Sequence, residues 1–314
     1  MPTAIPTTIP HGRTARRLTW PHLPPAVRDL VEQRCGSPVV DARSQGAGFT
    51  PGFASVLTCE DGTRHFVKAA SAKAQRQFAE SYREEARKLL ALPSGIPAAR
   101  LLWLEDGDWV VLGLEYVEAH TPHRPWRRSE LDAALDALEV VAEVLTPVPA
   151  TLDLDTTAQE FDGWPSYWEH VATTRPELGH LEEAAALAGR YAEVMAGDTL
   201  IHMDVRDDNV LVRPDGTAVL CDWNWPIRGA SWIDSLIALI GPRGDGLDVE
   251  QVLSERPLTR DVPRDDIDVV LALVTGYFYK VCDDPVPATS PHIRDHQRWQ
   301  GDVVWQWLCE RRGW

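Results

Sequence analysis

Alternating apolar and polar positions mark the first third of the chain and predict short β-strands. Hydrophilic turns at 60–62 (Glu-Asp-Gly) and 105–108 (Glu-Asp-Gly-Asp) separate such segments, so neighbouring strands are expected to pair as antiparallel hairpins. One long helix is expected over 74–92, where apolar residues recur at helical spacing and Pro93 follows. The segments predicted as strands are 39–43, 53–59, 64–69, 100–104 and 109–115.

The pattern changes after residue 117, where apolar residues recur every three or four positions and predict helices. This division predicts an α+β protein with two lobes, 25–117 and 118–314. Residues 1–24 are rich in Pro, Thr and Arg and are expected to form a mobile arm or a lid. The segments predicted as helices, besides 74–92, are 24–35, 130–145, 181–195 and 265–282.

The formal net charge of −16 is unevenly distributed. Residues up to Val117 carry 14 Lys and Arg against 12 Asp and Glu, whereas residues from Glu118 onward carry 17 against 35. An acidic second lobe repels nucleic acid and attracts cations, and a near-neutral first lobe is compatible with a polyanionic nucleotide. Acidity that serves solubility alone explains the same balance equally well.

Location and redox state follow from what the sequence lacks. No apolar run has the length of a membrane-spanning helix, and residues 1–24 contain no apolar signal core. The five cysteines are scattered without paired spacing. We therefore expect reduced thiols in a cytoplasmic protein, with neither a disulfide framework nor a zinc site.

The segment 202–209, His-Met-Asp-Val-Arg-Asp-Asp-Asn, carries the most chemical information. A phosphotransferase needs one carboxylate at the acceptor hydroxyl, and Asp204 is the candidate. It also needs oxygen ligands that hold Mg²⁺ against the triphosphate, and Asn209 and Asp222 are the candidates. Arg206 would supply a fixed positive charge where the transferred phosphoryl group lies.

A predicted hairpin explains how distant residues could meet. Segments 210–212 and 218–221 are apolar, and Pro-Asp-Gly at 214–216 is a turn sequence. The returning strand would bring Asp222 beside Asn209. The alternative is a solvated acidic turn followed by a helix cap, but the joint pattern favours the functional interpretation.

These motifs resemble the aminoglycoside phosphotransferase family of the protein-kinase-like superfamily. Segment 202–209 is similar to the family's His-Gly-Asp-Leu-x-x-x-Asn loop, with Met203 in place of the usual Gly. Asp-Trp at 222–223 resembles its metal-binding dipeptide, and Ser-Trp-Ile-Asp at 231–234 resembles the segment that follows. The resemblance extends from about residue 39 to residue 307.

The resemblance implies a protein-kinase-like bilobal fold, with an antiparallel sheet plus a helix in the first lobe and a mainly helical second lobe. It also implies that His202 and Asp234 are scaffold residues, the latter bracing the catalytic loop. The glycine-rich segment 45–52 would cover the nucleotide, with Gly46 and Gly48 allowing backbone N–H groups to approach the phosphates. Its glycine spacing departs from Gly-x-Gly-x-x-Gly, and an ordinary hairpin loop explains it equally well.

Lys68 shares a strand face with Phe66, so its cation is expected to point inward and to need anionic partners. Phosphate oxygens and a helix carboxylate would provide them. Glu85 fits the family pattern better as that carboxylate, with Glu84 as the alternative. The family's hinge would lie at 114–118, where backbone groups near Glu115 and Val117 would bind the adenine.

The acceptor site is the least determined part. Aromatic side chains could flank a cationic acceptor, but core packing is the commoner use of tryptophan. Acidic side chains in the second lobe could bind a cation, although helix caps and solvated loops explain them equally well. The candidates are Trp164, Trp168, Trp299, Trp305, Trp307 and Trp314, with Glu160, Asp162, Asp283 and Asp284.

The expected activity is transfer of the γ-phosphoryl group of ATP or GTP, with Mg²⁺, to a hydroxyl of a small and cationic molecule such as an aminoglycoside or related antibiotic. The protein would act as a monomer or homodimer, without nucleic acid or membrane partners. Another small-molecule kinase (for choline, a sugar or homoserine) is one alternative. A protein kinase is a weaker one because the chain lacks Asp-Phe-Gly and Ala-Pro-Glu. A non-catalytic nucleotide-binding regulator is a third.

Overall fold

The structure is a computed structural model that describes residues 3–49 and 52–314. Its first lobe is built on a five-stranded antiparallel sheet in the order β1-β2-β3-β5-β4. Thr50 and Pro51 of the glycine-rich segment lie outside the described residues. The strands are β1 (Val39–Ser44), β2 (Phe53–Cys59), β3 (Arg64–Ser71), β4 (Leu101–Asp106) and β5 (Trp109–Glu115).

Two helices pack on this lobe, α1 (Pro25–Cys35) and α2 (Arg76–Ala91). The two helices cover opposite faces of the sheet, as the side chains of β3 show, because successive side chains of a strand point to opposite faces. Val67 and Ala69 join the apolar cluster that contains Val27 and Val31 of α1. Lys68 and Ala70 lie on the other face, where Ala70 packs in the cluster that includes Ala79 and Ala86 of α2.

The second lobe is mainly helical, with short antiparallel strand pairs β6–β9 and β7–β8. Its strands are β6 (Thr199–Ile201), β7 (Val210–Val212), β8 (Ala218–Leu220) and β9 (Ile227–Gly229). Its helices are α3 (Arg128–Val144), α4 (Thr157–Glu160), α5 (Tyr167–Thr174), α6 (Leu181–Ala188), α7 (Tyr191–Val194), α8 (Ile233–Ala238), α9 (Ile240–Gly244), α10 (Val249–Glu255), α11 (Arg264–Val281) and α12 (Ile293–Arg312).

The helix predicted over 181–195 is wrong as a single element. The chain forms α6 and α7 with a break at Gly189 and Arg190. Glycine is a poor helix former, and the break still allows Leu187, Tyr191 and Met195 to be buried. Apolar spacing alone did not distinguish one helix from two that share a core.

Helices α11 and α12 are the two longest helices of the second lobe, and they pack closely at Gly301. A Cβ atom added to Gly301 would lie 2.8 Å from the ring of Tyr279. Glycine therefore allows α12 to approach α11 at this point.

The segment before α1 lies across both lobes. Ile5 N donates to Gly244 O (2.8 Å) and Arg16 N donates to Thr289 O (2.9 Å) in the second lobe, while Thr14 N donates to Gly46 O (2.8 Å) in the first. Ile9 is buried. The mobility expected of residues 1–24 stays a prediction, but the described part is packed and hydrogen-bonded. Within the described residues, no helix combines the length and apolar character needed to cross a membrane.

Candidate active site

The loop between β6 and β7 is held by Asp234 at the start of α8. Its carboxylate accepts hydrogen bonds from the backbone N–H groups of His202 (2.6 Å) and Met203 (2.9 Å). Met203 has a φ of +63°, in the left-handed region that favours glycine. The hydrogen bonds to Asp234 therefore hold the backbone of Met203 in a left-handed conformation that a non-glycine residue disfavours.

His202 is a buried connector between this loop and the strand that leads to Asp222. Its Nε2 lies 3.0 Å from Cys221 O, which can only accept, so Nε2 carries the proton. Its Nδ1 then accepts from Asp204 N (3.3 Å). Burial lowers the pKa of His202, so the neutral ring satisfies both contacts. The structure thus places His202 and Asp234 where scaffold residues would lie.

Asp204 is surrounded by the two groups that would tune a catalytic base. Asn209 Nδ2 donates to its Oδ2 (2.9 Å) and its backbone oxygen (2.8 Å), and Arg206 Nη1 lies 2.8 Å from Oδ1. Burial raises the pKa of Asp204 to about 6, against the opposing effect of Arg206. A carboxylate with a pKa near the working pH is suited to accept a proton.

Arg206 lies between Asp204 and Asp208, with Asp208 oxygens at 2.9 and 3.2 Å. These anions raise its pKa even though burial opposes its charge, and the guanidinium also stacks 5.4 Å from the Phe49 ring centre. Arg206 does not line the nucleotide-sized cavity described below. Its role on the phosphoryl group stays a prediction, whereas its hold on Asp204 is a direct contact.

Lys68 joins the two lobes through two carboxylates. Its Nζ lies 2.7 and 2.8 Å from the oxygens of Glu85 and 2.8 Å from Asp222 Oδ1. Glu84 instead pairs with Arg87. Lys68 and Glu85 are only 8% and 1% exposed, and burial alone would lower the pKa of Lys68, but Asp222 and Glu85 raise it. One cation beside two anions leaves a net negative charge that an additional cation would offset.

The β7–β8 hairpin brings Asp222 next to Asn209, at the end of the loop that carries Asp204. Val210 pairs with Leu220, and Cys221 N donates to Asn209 O (3.0 Å). Asp222 then turns toward the cavity with a φ of +69°. The side-chain hydrogen bonds of Asn209 use its Nδ2, and Lys68 contacts Asp222 at Oδ1. The amide oxygen of Asn209 and the second carboxylate oxygen of Asp222, both from residues that line the cavity, are a donor set that fits Mg²⁺.

A cavity of about 300 Å³ lies between the lobes, which is within the range of small-molecule sites. Glu115 and Val117 line it at the predicted hinge. Glu115 N–H is used by Arg100 O (2.9 Å), whereas Val117 N–H has no backbone partner among the described residues. The other lining residues include apolar ones (Ala54, Val56, Phe66, Leu89, Leu114, Leu211) and, on the side of the proposed phosphate site, Arg17, Gly48, Lys68, Asp208, Asn209 and Asp222.

The glycine-rich segment is fixed through its carbonyl groups by residues outside it. Thr14 Oγ1 donates to Gly48 O (2.5 Å) and Arg17 Nη2 donates to Ala47 O (2.7 Å). Gly48, with a φ of +80°, lines the cavity. Gly46 is not among the lining residues, and a Cβ there would lie 2.8 Å from Gly12 O of the N-terminal segment. The predicted nucleotide contact of Gly46 stays a prediction.

Arg17 was missed by sequence reasoning. It lines the cavity from the N-terminal segment, and its Nε is buried without a partner in the described structure. An arginine in a Pro- and Thr-rich arm gives no local signal of such a role. Only the packing of the arm against the glycine-rich segment shows it.

Several acceptor candidates have structural partners. Asp283 is bound by Arg175 with two contacts of 2.8 Å, and Asp284 is bound by Lys280 (2.9 Å). Trp168 is buried and donates from Nε1 to Ala272 O (3.1 Å). These residues hold the second lobe together and are poor candidates for ligand contacts.

The candidates Trp164 and Glu160 belong to an aromatic surface in the second lobe that also includes Tyr277 and Trp225. Trp164 stacks on Tyr277 with ring centres 4.0 Å apart, and Trp225 donates from Nε1 to Glu160 Oε1 (2.8 Å). Burial, with a contribution from the charge of Asp204, raises the pKa of Tyr277 to about 12. The charge of Asp204 therefore acts on the Tyr277 hydroxyl.

Comparison with solved structures identifies the fold. The chain is similar to an aminoglycoside phosphotransferase from Alicyclobacillus acidocaldarius, with 16% identity, coverage of 88% of this chain and 92% of that one, and a TM-score of 0.57. It is also similar to a thermostable mutant of aminoglycoside phosphotransferase APH(4)-Ia in complex with AMP-PNP and hygromycin B, with 13% identity, coverage of 92% of this chain and 99% of that one, and a TM-score of 0.63. Choline kinase LicA from Streptococcus pneumoniae is similar with 14% identity, coverage of 91% of this chain and 98% of that one, and a TM-score of 0.57.

No family model matches the sequence, and no curated protein matches it. The structural similarity nevertheless spans nearly the whole chain and confirms the resemblance at the level of the fold. The protein has the bilobal α+β fold shared by aminoglycoside phosphotransferases and choline kinase, with a five-stranded antiparallel sheet in its first lobe.

Proposed function

We propose that this protein is a small-molecule phosphotransferase that moves the γ-phosphoryl group of ATP or GTP to an acceptor hydroxyl. The convergence of Asp204, Asn209, Asp222 and Lys68 around one interlobe site supports the proposal most directly. The likeness to phosphotransferases crystallised with nucleotides and small acceptors supports the same class.

Asp204 would orient the acceptor hydroxyl and receive its proton. The hydroxyl oxygen forms a bond to the γ-phosphorus, and the bond from that phosphorus to the β–γ bridging oxygen breaks, so that the nucleoside diphosphate leaves. Asn209 fixes one carboxylate oxygen of Asp204 and Arg206 fixes the other. These two contacts orient the carboxylate. Both also oppose the effect of burial, which raises the pKa of Asp204 to about 6.

Asn209 and Asp222 would hold Mg²⁺, which would neutralise charge on the triphosphate. Lys68 would pair with nucleotide phosphates while Glu85 steadies it, because both side chains are buried and in contact before any ligand arrives. Arg17 adds a second cation on the polar side of the cavity. Val117 N–H is the available donor for the base.

The acceptor is proposed to be cationic. Trp164, Tyr277 and Trp225 form an aromatic surface to which Glu160 is hydrogen-bonded, and the charge of Asp204 contributes to the raised pKa of Tyr277. Aromatic faces attract cations once water is excluded, and the second lobe carries the excess of acidic residues. Aminoglycosides and amino alcohols such as choline both satisfy this description.

The decisive experiment measures diphosphate release with ATP and with GTP, each with Mg²⁺, across aminoglycosides, other cationic antibiotics, choline, homoserine and neutral sugars. We expect turnover with at least one cationic acceptor and turnover about 10²- to 10⁴-fold slower in Asp204→Asn, which keeps the side-chain shape. Product mass should rise by one phosphoryl group. Tight Mg²⁺-nucleotide binding without turnover on any acceptor would indicate the non-catalytic regulator instead, and preference for neutral sugars would refute the cationic acceptor.

A further inference from the structure

Three metal-ligating side chains outside the proposed active site meet where α1 ends. Val27 and Val31 of α1 pack into the apolar cluster on the outer face of the sheet. Residues four positions apart lie on the same face of a helix, so Cys35 continues this stripe and faces the sheet at the last turn of α1.

The β2–β3 hairpin supplies the other two side chains. Leu57 pairs directly with His65 and belongs to the same apolar cluster as Val31. Cys59 lies two residues beyond Leu57 in its strand, so it shares that face and is diagonal to His65. The two sulfur atoms of Cys35 and Cys59 and one ring nitrogen of His65 lie within 4.8 Å of one another.

The hydrogen bonds of His65 leave one nitrogen available. Thr63 Oγ1 donates to Asp61 Oδ1 (2.7 Å), so it can accept from His65 Nε2, which lies 3.3 Å away. Nε2 then carries the proton, and Nδ1 keeps its lone pair. In the described structure, Nδ1 is buried and has no hydrogen-bond partner. A ligating histidine commonly donates its other N–H to a polar group in this way.

We propose that Cys35, Cys59 and His65 form a binding site for a thiophilic divalent metal ion of the zinc class. Two thiolates and an imidazole nitrogen are ligands that such ions prefer over oxygen donors. Each thiol loses its proton on binding, and the two thiolates balance the charge of the ion. Cys35 and His65 are only partly buried, so a water molecule can act as the fourth ligand of a tetrahedrally coordinated ion.

The site would clamp the end of α1 to the β2–β3 hairpin. Cys35 comes from the helix, while Cys59 and His65 flank the hairpin turn. Metal binding to the folded form alone stabilises that form by mass action. This proposal does not depend on the phosphotransferase activity, since neither cysteine nor His65 lines the interlobe cavity.

The test uses the full-length protein, reduced and stripped with a chelator, and titrates it with Co²⁺. We expect one equivalent to produce a sulfur-to-cobalt charge-transfer band that Zn²⁺ then displaces. Zn²⁺ should also raise the thermal unfolding midpoint. Cys35→Ser and His65→Gln should each weaken binding by more than about 100-fold, beyond the about 10- to 100-fold typical of losing a supporting partner. Thr63→Val should weaken it by about 10-fold.

Cys309→Ser is the matched control, because Cys309 is also partly buried but lies on α12. It should bind Co²⁺ like the unaltered protein. The absence of a charge-transfer band, or a band that persists in Cys35→Ser, would overturn the site. Oxidation of Cys35 and Cys59 to a disulfide, with no metal binding by the reduced protein, would overturn it in favour of a redox pair.

Discussion

Replacement of Arg206 by Gln separates two roles that this residue could have. Arg206 Nη1 lies 2.8 Å from Asp204 Oδ1, and both side chains are partly buried. Its positive charge opposes the effect of burial, which raises the pKa of Asp204 to about 6. Without that charge, the carboxyl should hold its proton to higher pH.

The expected size follows from the contact. Two unit charges about 4 Å apart interact by about 4 kcal/mol at the effective dielectric of a protein surface, which corresponds to about three pH units at 1.36 kcal/mol per unit. Water that enters the vacated space will reduce this value. A shift of about 1 to 3 pH units is the usual effect of one adjacent opposite charge on a carboxyl group.

The assay is the pH dependence of kcat/KM for phosphoryl transfer. In the proposed mechanism Asp204 accepts a proton and must be deprotonated, so activity should fall as the pH drops through its pKa. In Arg206→Gln the acid limb should move upward from near pH 6 by about 1 to 3 units. Loss of charge stabilisation on the phosphoryl group would instead lower the plateau and leave the limb in place.

Arg260→Gln is the control, because Arg260 is exposed and its one ion pair among the described residues is with its neighbour Asp261. Its profile should match that of the unaltered protein. An acid limb that stays in place in Arg206→Gln, or moves to lower pH, would refute the argument that Arg206 tunes Asp204.

Three further predictions concern the site. Asp204→Asn should lower kcat by about 10²- to 10⁴-fold with unchanged nucleotide affinity, whereas Asp222→Asn should weaken Mg²⁺-nucleotide binding. Steady-state kinetics and nucleotide titration measure these effects, and equal, mild effects in both variants would contradict the assignment. Arg17→Ala should raise the KM for nucleotide more than it lowers kcat, because Arg17 lines the cavity and holds Ala47 O; an unchanged KM would exclude it from nucleotide binding. Met203→Gly should be about 1 kcal/mol more stable than Met203→Ala in urea unfolding, because only glycine relieves the left-handed backbone; the ordinary order, with alanine more stable, would show that position 203 is unstrained.

Local patterns were sufficient for the strands of the first lobe, for several helices and for part of the site. Alternation predicted the five strands of the first lobe, and helical spacing predicted α2, α3 and α11. The 210–221 hairpin was predictable because its turn residues and apolar strands are adjacent in sequence. The same hairpin explains how Asn209 and Asp222 come to line one cavity.

Contacts between distant segments were decided by tertiary structure. Whether Glu84 or Glu85 meets Lys68 depends on the rotation of α2 against β3, and only the packed lobe resolves it in favour of Glu85. The hold of Arg206 on Asp204 depends on the folded shape of the catalytic loop.

The cysteines show the limit most clearly. Their spacing predicted no metal site, because a motif search relies on ligands that are close in sequence. Cys35 meets Cys59 and His65 only because α1 packs on the face that the β2–β3 register assigns to them. The sequence determines which face of a helix or strand is apolar. The packing of those faces determines which distant side chains meet, because burial of apolar surface is non-directional and does not itself select partners.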